Sequence, residues 1–305
     1  MIKEIKNGVY PTMVTPYTND NKIDFDGVEK ILNWYAEAGC DGVFAICQSS
    51  EIFFLSFEER LELLKFIMAH KPANMNVVAS GHTADDLDRQ IYEAKAFIDC
   101  GIDSYVFIAN RFANADEGKD VFLKNYEKAV RALPEIGLGI YECPYPYKRV
   151  MSADVLAECA KDGSLSFLKD TCCKMGDIRA KLEAVKDYNL KIFNANAATL
   201  LPSLKAGCAG YSGVMANFHP ELYCWLCNNF EKEPQKAEKV AAFLGFASVA
   251  ECQCYPVNAK YHMSLLGMGI NTKSRVRDDS LFSESNKKEI DQMLVVENLI
   301  KETLL

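Results

Sequence analysis

The feature that most limits what this chain can fold into is a repeat. Short β-rich runs alternate with amphipathic helical segments, at a spacing of roughly 25–35 residues, along most of the chain. Such alternation gives βα units and a parallel sheet, because each strand hands over to a helix that packs back on the sheet. Strands are expected at 8–14, 42–47, 76–80, Ser104–Ile108, Gly137–Tyr141, 165–169, Lys191–Asn194 and 209–214. Helices are expected at 24–38, from Ser56, after Thr83 and Asp86, at Lys119–Ala132, after Ser152, at 178–186, at 198–206 and from Pro220. Ser56 and Glu59 make an S-x-x-E capping box, and Thr83, Asp86 and Ser152 are further cap candidates. Eight strand–helix units are the number that closes an α/β (β/α)8 (TIM) barrel. Three more helical segments follow, at 234–252, 256–266 and 285–303, with no linker or low-complexity tract before them. The expected organisation is a catalytic barrel over 1–232 and a C-terminal helical extension over 233–305 packed on it.

Composition narrows the function. The net charge is −8 and the Lys and Arg residues are scattered, so no basic stripe is available and nucleic acid is not an expected partner. An anionic substrate would have to be held by local donors, against the overall field. No apolar run reaches the ~18–20 residues of a membrane span. The chain has 12 cysteines but opens MIKEIKNGVY, without the apolar core of a signal peptide. Most of the cysteines, such as Cys40, Cys100, Cys159 and Cys208, lie in apolar periodic segments, where free thiols pack as small hydrophobes; a reducing cytoplasm is expected. Cys224 and Cys227 form a CxxC with Cys252 and Cys254 downstream, but both pairs fall in helical apolar stretches without knuckle glycines, so no metal is expected there. His219 precedes Pro220 and reads as a cap or packing residue; His70 and His82 read as surface or loop residues.

Functional groups of a barrel lie at the C-terminal ends of its strands. Three ends carry chemistry-bearing residues. The sixth strand reads Ser-Leu-Ser-Phe-Leu-Lys-Asp over 164–170, and strict alternation puts Leu165, Phe167 and Lys169 on one face. Burial lowers an amine's pKa, and a neutral amine attacks a carbonyl to give an imine; a lysine snorkelling to solvent fits the same segment. The fifth strand ends in Tyr141, whose phenol could shuttle protons or simply pack with a wet hydroxyl. Its place beside Lys169 on the adjacent strand favours the first reading. After the second strand, Cys47-Gln48-Ser49-Ser50-Glu51 offers hydroxyls and N–H groups to a carboxylate, or is an ordinary polar turn.

In this order and spacing the segments resemble the dihydrodipicolinate synthase / N-acetylneuraminate lyase family, nearly end to end. Gly8–Pro16 is similar to its first strand, Ser49-Ser50-Glu51 with Leu55–Arg60 to its carboxylate loop, and Tyr141-Glu142-Cys143-Pro144 to its tyrosine motif. Phe167–Thr171 is similar to its lysine motif, 206–214 with Asn217 and Pro220 to its eighth strand, and Pro256-Val257 with Lys260 and Gly267 to its first extension helices. The resemblance implies a (β/α)8 barrel with a helical extension, a homo-oligomer (tetramer or dimer), and lyase or aldolase chemistry on pyruvate or a related 2-oxo acid. It implies that Lys169 forms the Schiff base, that Tyr141 is the catalytic tyrosine, that Ser49 and Ser50 bind the carboxylate, and that Tyr211 and Ser212 belong to the segment lining the pocket. The covalent lysine imine would replace any cofactor.

The chain also departs from the pattern. Both glycines of the family's Gly-x-Thr-Gly-Glu loop are absent, no tyrosine follows the fourth strand at Ile108–Phe112, and Pro146 stands where the synthase branch has an arginine. Arg149 and Arg111 are the candidate replacements. Asn196-Ala197-Ala198 lacks the carboxylates with which the sialic-acid branch binds sugar hydroxyls. A non-catalytic 2-oxo acid-binding protein on the same barrel is the alternative function, and a phosphate-binding barrel isomerase would leave Lys169 and Tyr141 unexplained.

Overall fold

The computed structural model describes residues 2–304. Eight strands lie side by side: β1 (Gly8–Val9), β2 (Gly42–Phe44), β3 (Asn76–Ala79), β4 (Ser104–Ile108), β5 (Gly137–Tyr141), β6 (Leu165–Asp170), β7 (Lys191–Asn194) and β8 (Gly210–Tyr211). All pair in parallel, in the order β1-β8-β7-β6-β5-β4-β3-β2. The helices between them are α1 (Phe25–Glu37), α2 (Phe57–His70), α3 (Leu87–Ile98), α4 (Lys119–Ala132), α5 (Ala153–Ala160), α6 (Met175–Val185) and α7 (Leu200–Lys205), with α8 (Pro220–Asn229) after β8. This is the TIM barrel that the repeat implies.

The ring closes between β1 and β2 through a single bridge, Thr12 to Phe44. Phe44 N donates to Pro11 O (2.9 Å) and Met13 N to Phe44 O (3.1 Å). The strand expected over 8–14 is thus regular only at Gly8–Val9 and touches its neighbour again at Thr12; Pro11 between them has no N–H to give a ladder. The other flank of β1 needs glycine. Gly8 has φ +129°, and a Cβ on its partner Gly210 would lie 1.7 Å from Gly8 O.

Helix starts follow two of the expected caps; Thr83 lies upstream of the cap and accepts from Arg60 Nη1 (3.3 Å) instead, and Ser152 does not cap either. Ser56 Oγ accepts from Glu59 N (3.1 Å) while Glu59 accepts from Ser56 N (2.9 Å), and Asp86 accepts from Arg89 N (2.8 Å). Ser152 precedes α5 but its hydroxyl donates to Asp154 instead of capping.

Apolar side chains form an outer layer between sheet and helices and a smaller cluster in the barrel lumen. In the lumen Phe167 stacks on Phe193 (4.7 Å) and Tyr10 meets Phe193 edge-on (4.8 Å), which floors the barrel with aromatic rings. Strict alternation along β6 fails. The pairing with β5 jumps from Leu138–Leu165 to Gly139–Phe167, a bulge at Ser166. Leu165 therefore packs in the outer layer and only Phe167 of the two faces inward. The bulge re-aims the strand so that its last turn delivers Lys169 to the lumen.

The extension is α9 (Pro234–Ala247), a short 3-10 turn at Ser248–Cys252, α10 (Val257–Leu265) and α11 (Glu284–Leu304). A buried ion pair, Lys260 Nζ to Glu51 Oε1 (2.8 Å), joins α10 to the loop after β2. A second buried cluster ties α11 down. Glu297 accepts from His219 Nδ1 (2.7 Å), faces His262 Nε2 (3.5 Å) and pairs with Lys301 (2.9 Å).

Candidate active site

The last inward residues of β5 and β6 are register partners, Tyr141 and Lys169. Both are buried. Lys169 Nζ is 4.3 Å from the centre of the Tyr141 ring and 5.8 Å from that of Phe44. Burial drives the amine's pKa below the ordinary lysine value, against upward pulls from Cys47, Cys143 and Glu251. Ring faces favour an ammonium by only about 0.5–2 kcal/mol, and desolvation wins. Burial likewise pushes the Tyr141 phenol well above its usual value, so it is protonated and donates to Gln48 Oε1 (3.2 Å).

Three lysines are buried among the described residues: Lys169, Lys181 and Lys260. Lys260 has Glu51, and Lys181 of α6 lies against Glu142 (2.5 Å) and Asp170. No carboxylate of the described residues lies within ion-pair reach of Lys169. Lys181 shows the contrast: burial pulls its pKa down, but Glu142 and Asp170 outweigh burial and raise it.

That second lysine also explains how the pair is held. Glu142 and Asp170 directly follow Tyr141 and Lys169, so alternation turns them outward where their neighbours turn inward. There Lys181 bridges them, while Glu142 also accepts from Thr171 N (2.7 Å) and Met151 N (2.9 Å). A three-charge lock behind the sheet thus fixes the ends of both strands. Burial and the Asp170 charge raise the Glu142 pKa against the pull of Lys181.

Tyr141 and Lys169 open on a cavity of about 470 Å³ at the C-terminal mouth of the barrel. Ser49 lines it; its hydroxyl donates to Thr12 Oγ1 (3.0 Å). The other three residues singled out from the sequence lie behind the wall. Ser50 Oγ donates to Met13 O (2.7 Å) and Ala45 O (2.9 Å), which pins the loop to the first two strands. Tyr211 belongs to the outer layer, its ring stacked on Tyr223 (4.0 Å), and it backs the cavity through Gly213, whose absent Cβ would be 2.3 Å from the phenol oxygen. Ser212 is fully buried, with its hydroxyl unpartnered.

The loop without its glycines still makes a left-handed turn, at Glu51 (φ 62°). That conformation costs about 1–2 kcal/mol in a residue with a Cβ. The carboxylate offsets it by accepting from Lys260, from Ser274 Oγ (3.0 Å), and from the backbone N–H groups of Arg275 (2.6 Å) and Val276 (2.9 Å). Neither candidate arginine reaches the cavity. Arg149 Nη2 donates to Glu117 O (3.1 Å) and Asn114 O, and Arg111 pairs with Asp85 and lies over Phe53 (5.5 Å). Gln48, Glu251 and Arg277, which sequence reasoning passed over, do line it.

His82, expected at the surface or in a loop, lies in the loop after β3 but is fully buried. Its Nε2 accepts from Ile108 N (3.2 Å), so Nδ1 carries the proton and donates to Tyr105 Oη (2.8 Å). The His219, His262 and Glu297 side chains have metal-like spacing, but Glu297 is already held by His219 and Lys301 and the outer ring nitrogens have no support, so the cluster works as a clamp. Cys40 and Cys224 lie 3.6 Å apart as a buried thiol pair.

The fold and the site together define a (β/α)8 barrel with a buried, unpaired amine and a phenol under an open mouth. The chain belongs to the Dihydrodipicolinate synthetase family, matching it over residues 6–294. It is 26% identical over 310 residues to the 4-hydroxy-tetrahydrodipicolinate synthase of Ehrlichia canis, covering 98% of this chain and 100% of that one. With the synthase of Haloarcula marismortui it shares 24% identity over 220 residues, 72% of this chain and 70% of the relative. Among solved structures it superposes on a prophage protein of the dihydrodipicolinic acid synthase family from E. coli K12 in complex with pyruvate (TM-score 0.87, 18% identity, 96% of this chain and 99% of that one). It superposes similarly on the sialic acid aldolase of Ruminococcus gnavus (TM-score 0.86, 17% identity, 98% and 99%). No helix of the described residues is long and apolar enough to cross a membrane.

Proposed function

We propose that the protein is a Schiff-base lyase or aldolase acting on pyruvate or a related 2-oxo acid. The neutral Lys169 amine attacks the ketone carbon to give a carbinolamine, which loses water to become an imine. When a C–C bond breaks, the protonated imine accepts its electron pair and the resulting enamine takes a proton at carbon. When one forms, the imine first gives up a proton from C3 and the enamine carbon attacks the acceptor carbonyl, whose oxygen takes a proton. Water finally returns the ketone and the free amine. Tyr141 carries the proton between the carbinolamine oxygen, the imine and the second substrate. Ser49 and the loop around it take the 2-oxo acid's carboxylate. No cofactor enters this scheme, because the imine is the electron sink.

The observation that carries this reading is the buried Lys169 amine, without a carboxylate partner, beside Tyr141 on an open cavity. Family membership and the likeness to a protein solved with pyruvate support it. Borohydride reduction in the presence of pyruvate tests it: an adduct mapped to Lys169 is expected, and folded protein that gives none overturns the mechanism. One observation favours a 2-oxo acid-binding protein without turnover. The Tyr141 phenol is held by the Gln48 amide, a group that does not pass a proton on. Imine trapping combined with absence of any C–C cleavage or condensation would select that reading.

A further inference from the structure

The cavity has two ends, and the mechanism uses only one. Lys169, Tyr141 and Ser49 lie at the floor, while the open half is walled by the loop after β5 and by the extension. Two cationic side chains reach it there. Lys148 is committed to the carbonyl of Thr171. Arg277 makes no ion pair with any described residue, and its guanidinium donates no hydrogen bond to one.

Its backbone, by contrast, is firmly held. Arg277 N donates to Ser274 Oγ (3.2 Å). The residues before it are fastened to the buried Glu51–Lys260 pair: Val276 N and Arg275 N donate to Glu51, and Lys260 Nζ donates to Lys273 O (2.6 Å). The strained Glu51 turn thus places a guanidinium on the rim while leaving its five donors unused. In a chain of net charge −8 this is a local cation against the overall field. Arg149 and Arg111, the other candidates for such a role, are engaged elsewhere.

Resting on the Schiff-base reading above, we propose that Arg277 is the specificity-determining residue of the open half, and that it binds an anionic group, carboxylate or phosphate, at the far end of the second substrate. The full-length imine adduct is then a 2-oxo acid with anions at both ends. Glu251, which lines the same cavity, disfavours an anion placed beside it.

The test measures imine trapping, so it needs no turnover. The concentration giving half-maximal borohydride trapping on Lys169 is determined for pyruvate, 2-oxohexanoate, 2-oxoadipate and a six-carbon 2-oxo acid ending in a phosphate monoester. In the wild-type chain at least one doubly anionic acid should trap at roughly tenfold lower concentration than 2-oxohexanoate, and which one does so identifies the anion. Arg277→Gln should remove that preference and leave pyruvate trapping within about twofold, which also shows that the variant is folded and its amine competent. A wild-type chain that does not prefer either doubly anionic acid overturns the proposal, as does a preference that survives Arg277→Gln. Failure of pyruvate itself to trap is a separate result: it removes the Schiff-base reading and Arg277's role with it.

Discussion

At the scale of single residues, the proposed chemistry rests on the surroundings of three buried lysines. Lys181 is held above the ordinary lysine value by its two carboxylates, and Lys260, though burial lowers its pKa, keeps Glu51 as a partner, whereas Lys169 has burial and ring faces with no carboxylate, and its pKa is lowered. Replacing Lys169 with Met should reduce pyruvate trapping to background. Tyr141→Phe should still trap pyruvate but slow turnover by about 10²–10⁴-fold, so a wild-type rate in that variant would release the phenol from its role. Because a depressed amine pKa enlarges the reactive fraction at neutral pH, the acidic limb of the trapping rate should lie below the range of an ordinary lysine; a limb at or above that range would contradict the burial argument. Lys169 and Tyr141 were legible in the sequence because both close apolar strands, and strand ends face a barrel's mouth. Gln48, Glu251 and Arg277 were not, since spacing alone does not say which residue of a loop turns toward the cavity. Ser50 and Tyr211 shared a motif with cavity residues yet face the other way.

At the scale of elements, the ends of β5 and β6 depend on one helix. Removing the cation of the lock with Lys181→Met strands Glu142 and Asp170 in the interior and should cost about 3–5 kcal/mol in urea denaturation. A loss below about 1 kcal/mol would show that the carboxylates find protons or water instead. Ser56→Ala removes the cap of α2 and should cost about 1 kcal/mol, read the same way. The existence of each strand and helix followed from periodicity, but two local features did not. The bulge at Ser166 inverts the face of Leu165, and nothing in a run of apolar residues on both faces reveals an extra residue. The lock was hidden for a related reason: Ile178, Lys181 and Val185 share the buried stripe of α6, and a lysine within such a stripe reads as an amphipathic edge until its carboxylates are found.

At the scale of the whole molecule, buried histidines set the response to acid. Burial, with Arg111 and Arg60 nearby, lowers the His82 pKa to about 3. The unfolded chain takes up that proton near pH 6.5 and the folded one does not, so stability is complete above this value and falls as pH drops from there toward 3. By pH 5 the loss should reach about 2 kcal/mol. Glu297 acts lower down. Burial pulls its carboxyl up, but His219 and His262 outweigh burial and hold it far below the usual carboxylate range, so its contribution disappears as pH falls below about 4.5. Urea midpoints measured from pH 8 to pH 5 should therefore decline, and a flat profile would contradict the burial of His82.

The thin closure of the ring between β1 and β2 has a mechanical consequence. One backbone bridge joins these strands, and hydroxyl groups replace the missing rungs: Ser49 to Thr12, Ser50 to Met13 O, and Thr15 to Ser50 O (2.8 Å). A ligand that claims the Ser49 hydroxyl takes one of these stitches out. Occupancy at the mouth should consequently be felt along the seam as altered amide exchange in residues 9–15, which make no part of the bond being made or broken.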